Sequence, residues 1–215
     1  MRADDRSIDA AVLRTLARLG SATVYEAAGR LGVVDIPLQQ LIAGSRVAGP
    51  ALTVMCGQGD NLMIHGAVDQ ARPGDVVVVT MPQPEAFGVI GELLATQFQV
   101  RGVAALLVDG AVRDVEDLRS MDLPIWTRHV RIRGAGKQVV GTIGAPITVG
   151  GASIATGDVV VLDADGATVV TRARVEDVVQ ASLDREEREH VMRVRLQSGE
   201  LSLDIHGLRK VIEEG

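Results

Sequence analysis

The residues best suited to chemistry lie in the stretch LLVDGAVRDVEDLRS, residues 106–120. An apolar run ends at Asp109, Arg113 and Asp114 then stand side by side, and Asp117 follows about one helical turn later. A carboxylate such as Asp114 suits Mg²⁺ or Mn²⁺, which prefer oxygen ligands, and Mg²⁺ commonly keeps several waters, so that one direct carboxylate can suffice. The Arg113 guanidinium could hold a carboxylate or enolate oxygen of a substrate. This stretch is therefore a candidate metal and anion site.

The same residues also have a purely structural interpretation. Asp114 stands where a short helix is predicted to begin, so it could cap that helix, and Asp117 would add a favourable acidic charge to its first turn. Asp109 followed by Gly110 is typical of a turn that ends a strand. The local pattern leaves Asp114 open between helix cap and metal ligand.

A second candidate is the sequence GELL, residues 91–94, near the predicted start of a helix. The first backbone N–H groups of a helix lack intrahelical partners and favour anions, so Gly91, Leu93 and Leu94 could bind a substrate carboxylate. Glu92 would add a carboxylate for water around a metal, and a solvated helical glutamate is the structural alternative. The segment RGAGKQ, residues 133–138, fails the phosphate-loop pattern at its first Gly and its final Ser/Thr.

The elements that must position these residues alternate between strands and helices. Strands are predicted at 47–56, 72–80, 103–109 and 123–128, and helices at 60–71, 88–102 and 113–122. This alternation favours an α/β layer with mostly parallel strands, in which sites gather at the carboxyl ends of the strands.

Three further regions lie before and after this layer in the sequence. Helical spacing predicts helices at 8–19 and 21–31 before it. Residues 129–171, rich in Gly and Val, predict successive strands in a second sheet packed on the first, with Asp165–Gly166 as a hairpin turn. Residues 174–198 predict a long charged helix, which either presents a solvated face or leaves its own core to reach a neighbouring subunit.

Composition excludes several classes of function. Hydrophobic residues make up 47% of the 215 residues, so a large core is expected, whereas aromatic residues make up only 2% and argue against base stacking on nucleic acid. The net charge of −6 opposes binding to phosphate backbones and anionic membranes. The single cysteine, Cys56, is predicted to be a buried structural thiol, and the four histidines lack zinc-ligand spacing. No run reaches the length of a membrane span, so we expect a cytoplasmic protein.

The order of several motifs resembles the RraA-like family. These motifs are RPGDVVVV, GELLATQFQVRGVAALLVDGAVRDVEDL, LPIWTR, GAPITVGGASIATGDVVVLDADGATVV and GELSLDIHGLR. The resemblance extends from about Leu19 onward, and the pattern DG-x-x-RD-x-x-[DE] is its most specific part. This family includes class II 4-hydroxy-4-methyl-2-oxoglutarate (4-carboxy-4-hydroxy-2-oxoadipate) aldolases with oxaloacetate decarboxylase activity, and regulators of ribonuclease E.

The resemblance implies a fold and an assembly. The fold would be a three-layer β/β/α fold of the swivelling, phosphohistidine-domain type, with N-terminal helices and a C-terminal helical extension, in homotrimers or homohexamers. One domain would span the chain, with N-terminal helices in 1–45, the β/β/α core in 46–171 and the helical extension in 172–215.

The resemblance also implies roles for individual residues. Arg113, Asp114 and Glu92 would be catalytic. Asp114 would bind Mg²⁺ or Mn²⁺ directly, and Glu92 would hold metal-bound water. Glu189 of a neighbouring subunit would do the same, with Glu186 and Glu187 close enough to compete for that role. The backbone amides of residues 91–94, together with Arg113, would bind the substrate.

The sequence therefore predicts a divalent-metal-dependent lyase that cleaves small 2-oxo acids to pyruvate. Having Asp114, Asp117, Glu92 and the C-terminal extension favours the enzyme branch over the shorter regulators. The alternative is a non-catalytic, protein-binding regulator of a ribonuclease E type activity, which would need no metal. A third possibility is an enzyme of the same family that acts on another small acid.

Overall fold

The computed structural model describes residues 6–214 of the chain, in which helices and strands alternate. The helices are α1 Ala10–Leu19, α2 Ser21–Ala27, α3 Leu62–Gln70, α4 Glu92–Val100, α5 Val115–Ser120, α6 Val175–Gln197, α7 Ser202–Ile205 and α8 Arg209–Glu214. The strands are β1 Gln39–Gln40, β2 Val47–Met55, β3 Val76–Thr80, β4 Gly88–Ile90, β5 Ala105–Val112, β6 Ile125–Val130, β7 Thr142–Ile143, β8 Ile147–Val149, β9 Ala152–Ile154, β10 Val159–Asp163 and β11 Gly166–Val170.

Most strands belong to one hydrogen-bonded sheet with the order β1-β6-β5-β3-β2-β10-β11. Strands β2, β3, β5 and β6 pair in parallel. The central strands β3 and β5 are buried along their whole length, as is typical of parallel sheets. The short strand β4 also pairs in parallel with β5. Strands β10 and β11 form the predicted antiparallel hairpin, whose turn lies at residues 164–165, one position before the predicted Asp165–Gly166 turn.

Strand β2 carries the sheet from one layer to the next. Its first residues, 47–50, pair with β10, and residues 51–55 pair with β3. Because the two layers share this strand, β10 and β11 belong to the same curled sheet. The prediction of a second, separate sheet was therefore wrong for these two strands, and the separate sheet is the small hairpin β8–β9.

Three buried clusters define the layers. One lies between the sheet and helices α3, α4 and α5, and includes Ile64 and Phe98. The second lies between the two β layers, where Trp126 packs with residues of β10 and β11. The third lies outside the β10–β11 layer, beneath α1, α2 and α6. This arrangement confirms the predicted three-layer β/β/α fold with N-terminal helices and a C-terminal helical extension.

The structure corrects the predicted role of Asp109. Strand β5 does not end at Asp109–Gly110 but continues to Val112, with a shift in its register against β6. Asp109 is buried inside the strand, where its carboxylate accepts hydrogen bonds from Arg128 Nη1 at 2.9 Å and Thr80 Oγ1 at 3.2 Å. Asp109 is therefore part of a buried polar cluster and does not form a turn.

Two other boundaries differ from the prediction. Residues 88–90 form β4, and the following helix begins only at Glu92, because β5 is long enough to pair with this extra strand. Helix α2 ends at Ala27 instead of Leu31, since Gly29 and Arg30 adopt left-handed backbone conformations that stop the helix. Cys56 is buried as predicted, and burial raises its pKa to about 12.

Helix α6 matches the predicted charged helix and has two different halves. Its first half buries Val175, Val178 and Ser182 against α1 and α2. Its second half exposes Val191 and Val194, each at 53%. In the described part of the chain, no helix combines the length and the apolar character that a membrane span requires.

Candidate functional site

The candidate site forms where β4 passes into α4 and β5 passes into α5. Because β4 and β5 are parallel neighbours, their carboxyl ends meet at one edge of the sheet. The backbone N–H of Arg113 donates to the carbonyl of Ile90 at 3.0 Å, which holds the β4–α4 and β5–α5 junctions together. Thus the structure brings together the two segments, 91–94 and 113–114, that the sequence predicted as a site.

Asp114 has an unusual backbone at this junction. Its φ of 58° lies in the left-handed region, which costs energy for a residue with a side chain, although aspartate tolerates it better than most. Its carboxylate makes no capping hydrogen bond to α5. Asp114 Oδ2 instead accepts the backbone N–H of Glu92, the first residue of α4, at 3.2 Å. The helix-cap interpretation of Asp114 was therefore wrong, because the left-handed turn directs the carboxylate to a different helix.

Arg113 and Gly91 complete this corner. Arg113 Nε lies 3.7 Å from Asp114 Oδ2, and both side chains are nearly half exposed. A Cβ atom on Gly91 would collide with Asp114 Oδ2 and lie 3.2 Å from Arg113 Nε. Gly91 is thus required by the close approach of two side chains, since its own backbone is in an extended conformation.

A cleft of about 140 Å³ opens beside this corner. Its lining residues are Asn61, His65, Gly88, Val89, Gly91, Leu93, Leu94, Arg113, Asp114 and Lys137. Five of the six site residues predicted from the two segments line this cleft, namely Gly91, Leu93, Leu94, Arg113 and Asp114. Glu92 is the one that does not.

Glu92 faces along α4 and away from the cleft wall. Its Oε1 accepts a hydrogen bond from Thr96 Oγ1 at 2.9 Å, one turn further along the helix. The role of Glu92 in holding metal-bound water stays a prediction. Asp117 lies in the first turn of α5, where the sequence predicted an acidic charge, and its carboxylate forms no ion pair within the described residues.

The cleft also contains three polar side chains that the sequence did not identify. His65 lies on α3, and both burial and the nearby charge of Lys137 lower its pKa, which favours neutral imidazole near pH 7. Asn61 Nδ2 donates to the carbonyl of Val89 at 2.8 Å, while its buried Oδ1 has no hydrogen-bond partner among the described residues. Lys137 comes from the RGAGKQ segment, which the sequence offered only as a failed phosphate loop.

The sequence carried little signal for these three residues. Asn61 and His65 belong to a segment whose helical pattern gives no reason to separate them from other polar positions. Lys137 lies 24 positions after Arg113, in a loop without regular structure. Only the folded chain brings α3 and this loop to the same cleft as Arg113 and Asp114.

The donor atoms at the cleft determine whether it could hold a divalent cation. Within the described residues, the structure shows no cluster of three or more His, Cys, Asp or Glu side chains able to hold one metal ion. The half-exposed Asp114 carboxylate still fits a hard cation bound by one protein ligand and completed by water and substrate oxygens. The residues therefore fit Mg²⁺ or Mn²⁺ but do not resemble a closed structural metal site.

The three candidate glutamates lie on α6, which packs against α1 and α2 on the outer side of the other β layer. Glu186 accepts a hydrogen bond from Arg18 Nη2 at 2.9 Å, and Glu189 pairs with Arg185 at 2.8 Å. Glu187 is exposed and has no ion pair within the described residues. A role of any of them at a neighbouring subunit's cleft stays a prediction.

Comparison with known proteins identifies the family. The sequence profile of the RraA-like family, described as Aldolase/RraA, matches residues 21–169, which include the whole cleft. The chain belongs to the RraA-like family. This confirms the resemblance seen in the sequence motifs.

Relatives within the RraA-like family carry two kinds of name. A protein of Halalkalibacterium halodurans named "Putative 4-hydroxy-4-methyl-2-oxoglutarate aldolase" is 36% identical over 143 residues, which cover 66% of this chain and 68% of that protein. The crystal structure of Streptomyces coelicolor RraAS2, described as an unusual member of the RNase ES inhibitor RraA protein family, has 28% identity and a TM-score of 0.79. The match covers 88% of this chain and 100% of RraAS2.

A third similarity concerns the fold alone. An uncharacterized protein from Pseudomonas syringae pv. tomato has a TM-score of 0.80 at 23% identity, with 90% of this chain and 92% of that chain covered. The β/β/α architecture with its helical extensions is therefore that of the RraA-like fold.

Proposed function

We propose that this protein is a divalent-metal-dependent carbon–carbon lyase that cleaves small 2-oxo acids to pyruvate. The proposed substrates are 4-hydroxy-4-methyl-2-oxoglutarate, oxaloacetate or both. The observation that carries the proposal is the placement of Asp114, whose strained backbone turns a half-exposed carboxylate into the cleft beside Arg113. Left-handed residues other than glycine cluster at active and ligand-binding sites, and Asp114, unlike the helix-ending Arg30, lines a cleft. The name of the Halalkalibacterium halodurans relative supports the same reaction class.

Asp114 is the proposed direct ligand of the metal. A bound Mg²⁺ or Mn²⁺ would supply Lewis-acid polarisation of the substrate's 2-oxo group. Asp114 keeps free acceptor capacity for this role, because a carboxylate offers about four lone-pair sites and only one backbone N–H is bonded to it within the described residues. Glu92 would hold water near the metal, which requires its carboxylate to turn from Thr96.

The start of α4 would bind the substrate's 1-carboxylate. The N–H groups of Leu93 and Leu94 lie in the first turn of this nine-residue helix, where backbone donors have no intrahelical acceptor. The N–H of Glu92 is already bonded to Asp114, so the same helix start fixes the metal ligand and presents donors to the substrate. This arrangement would set the distance between the bound carboxylate and Asp114.

Arg113 would stabilise the enolate that forms when the C3–C4 bond breaks. Retro-aldol cleavage and decarboxylation both leave the bonding electron pair on pyruvate as its enolate, so one anion-binding group serves both reactions. The guanidinium is half exposed and its Nε lies 3.7 Å from Asp114, close enough to act on the same bound substrate. In the retro-aldol reaction, the proton lost from the 4-hydroxyl group as the C4 carbonyl forms balances the proton taken up at C3 of the enolate. In decarboxylation, CO₂ leaves and the proton for C3 comes from water, so each reaction gives pyruvate.

Lys137 and His65 would bind the part of the substrate that leaves. The proposed substrates are di-acids, and Lys137 supplies a second cation in the cleft besides Arg113. Neutral His65 and Asn61 Oδ1 add hydrogen-bonding groups beside it, and they suit the hydroxyl group of an aldol substrate. The cleft would therefore discriminate in favour of substrates with a second carboxylate.

We further propose that the site is completed by a neighbouring subunit in a homotrimer or homohexamer. The second half of α6 exposes Val191, Val194 and Leu196, an apolar stripe that suits contact with another copy of the chain. Glu189 on this helix is the proposed contributor of a carboxylate to the neighbour's metal-bound water, and Glu186 and Glu187 are the competing candidates.

The proposed function is tested by measuring pyruvate release. The purified protein is stripped with a chelator and assayed with oxaloacetate and with 4-hydroxy-4-methyl-2-oxoglutarate, each with and without added Mg²⁺ or Mn²⁺. The expected result is protein-dependent pyruvate release that requires the metal and exceeds the rate with metal alone. Absence of such release with both substrates would reject the lyase proposal.

A second candidate function is regulation of a ribonuclease by direct binding. It is favoured by the similarity to Streptomyces coelicolor RraAS2 along the whole of that chain. In this case Asp114→Ala would leave inhibition of the ribonuclease intact, because no metal is involved. Co-purification with a ribonuclease and metal-independent inhibition would support this second candidate over the lyase.

A further inference from the structure

Asp60 is a buried carboxylate that lies outside the cleft. It contacts the start of α3 and the loop that carries Lys137, the two segments that bring His65 and Lys137 to the cleft. It is 2% exposed and stands just before Asn61 and α3. Its Oδ1 accepts the backbone N–H of Leu62, the first residue of α3, at 2.8 Å. Asp60 therefore caps the helix that carries His65.

The other oxygen of Asp60 holds the loop that carries Lys137. Asp60 Oδ2 accepts the backbone N–H groups of Gln138 at 2.6 Å and Val139 at 3.1 Å, the two residues that follow Lys137. These donors come from positions 78 and 79 residues away in the chain. A single carboxylate thus joins the start of α3 to the exposed loop on which Lys137 lies.

The surrounding backbone is built to fit this contact. The N–H of Asn61 donates to the carbonyl of Gly136, and the N–H of Gly136 donates to the carbonyl of Gly59, both at 2.9 Å. A Cβ atom at position 136 would lie 2.8 Å from Asp60 Oδ2, so only glycine lets the loop approach this closely. Burial alone would raise the pKa of Asp60, but the donors of Gln138, Leu62 and Val139 and the charge of Lys137 lower it, so the carboxylate stays ionised.

We propose that Asp60 is a positioning residue that fixes Lys137 against Asn61 and His65 across the cleft. Lys137 has a long, flexible side chain on an exposed loop, and holding the two backbone N–H groups after it limits where its ammonium group can reach. The inference deepens the proposed function and rests on it for its activity measurement. Displacement of a positioned group by about 1 Å can cost about 100-fold in rate.

The central experiment is a double-mutant cycle between Asp60→Asn and Lys137→Met, read by kcat/KM for metal-dependent cleavage of 4-hydroxy-4-methyl-2-oxoglutarate. Asp60→Asn keeps the side-chain shape but replaces one acceptor by an amide donor. The expected loss is about 100-fold in the wild-type background and at least ten-fold smaller when Lys137 is already Met, because the two changes then remove the same interaction. Equal losses in the two backgrounds would overturn the positioning role.

Asp158→Asn is the matched control. Asp158 is also buried and also accepts backbone N–H groups from two segments, those of Ala155 and Arg172, both at 2.9 Å, but it lies outside the cleft. Its substitution is expected to lower the unfolding midpoint without changing kcat/KM. If Asp60→Asn does not fold, Gly136→Ala perturbs the same contact from the loop side and should show the same dependence on Lys137.

Amide hydrogen exchange supplies a measurement that does not depend on the reaction. Asp60→Asn is expected to accelerate exchange at Gln138 and Val139 by at least about ten-fold, whereas Asp158→Asn leaves these amides unchanged. Unchanged exchange at both amides would overturn the inference even in an active enzyme. An inactive wild-type protein would reject the proposed function alone, and the exchange rates would then decide whether Asp60 fixes the loop.

Discussion

Asp114 and Asp163 make the same hydrogen bond in opposite surroundings. Asp163 Oδ2 accepts the N–H of Ser21, the first residue of α2, at 2.7 Å, just as Asp114 accepts the N–H of the first residue of α4. Asp163 is 6% exposed and also accepts Ser21 Oγ at 2.6 Å and the N–H of Asp165 at 3.0 Å. The Asp114 side chain is 44% exposed and has Arg113 as its nearest charge.

The difference separates a structural carboxylate from one that can bind a ligand. Asp163 uses its acceptor capacity inside the protein, so its removal would leave buried donors without partners. Asp114 accepts one backbone hydrogen bond, which fixes its position, and its remaining acceptor sites are available to the cleft. A helix start thus serves either to complete a buried cluster or to fix a carboxylate that remains available.

The largest effect on activity is expected for Asp114→Ala, which removes the carboxylate proposed to bind the metal. Metal-dependent pyruvate release should fall by about 1,000-fold or more, because both the metal ligand and the neighbouring charge arrangement are lost. The unfolding midpoint should fall only modestly, because the side chain is half exposed and the left-handed backbone is less favourable for alanine than for aspartate. Steady-state kinetics with and without Mg²⁺, together with calorimetry, provide the measurement, and retained metal-dependent activity would contradict the proposed role.

A smaller loss is expected for Arg113→Lys. The planar guanidinium can make two parallel hydrogen bonds to an anion, which an ammonium group does not reproduce, so kcat should fall by about 100-fold. Arg128→Lys is the matched control, because Arg128 pairs with the buried Asp109 and does not line the cleft. Comparable kcat losses in the two variants would show that Arg113 has no special role.

A third prediction concerns the glutamates of α6 and asks whether the Asp114 cleft needs a second subunit. Glu189→Gln should lower kcat by about ten-fold, as expected for a group that orients metal-bound water. Glu186→Gln and Glu187→Gln are the matched variants on the same helix. Light scattering on each variant establishes that the assembly is unchanged. A loss confined to Glu186→Gln or Glu187→Gln would reassign the role.

The smallest effect on activity is expected for Asp163→Asn, which tests whether Asp163 contributes to stability alone. Replacing one acceptor by an amide leaves a buried donor of Ser21 unsatisfied, so the free energy of unfolding should fall by about 2 kcal/mol. The value of kcat/KM should remain that of the wild type. Urea unfolding followed by circular dichroism measures the first quantity, and a large loss of activity would contradict the separation of the two regions.

Much of the fold could be predicted from local pattern. The β-branched runs, the Gly stops and the helical spacing of 8–19 and 174–198 identify most elements, because each pattern depends on burial of one face or of a whole strand. The boundaries near the site were predicted less well. Strand β4 and the extension of β5 to Val112 exist because they pair with each other, and local sequence does not show such long-range pairing.

The sequence predicted only part of the site. Arg113, Asp114 and residues 91–94 carry a recognisable motif, and the structure brings them together at the edge of the sheet. Asn61, His65 and Lys137 carry no comparable motif, since their relation depends on how α3 and the loop after β6 approach the cleft. Asp109 was misjudged because Asp-Gly is typical of turns, whereas Arg128 and Thr80 provide partners that let it lie inside a strand.

The sequence by itself determined the α/β class, the family and the chemical types available at residues 91–94 and 113–114. These follow from periodicity, composition and local motif, which are properties of neighbouring residues. Only the tertiary structure decided that Asp114 bonds to α4 instead of capping α5, and that Asp60 joins α3 to the Lys137 loop. The physical reason is that a carboxylate takes whichever backbone donors the fold brings within about 3 Å. The donors of Glu92 and Gln138 lie 22 and 78 residues away along the chain from the carboxylates that accept them.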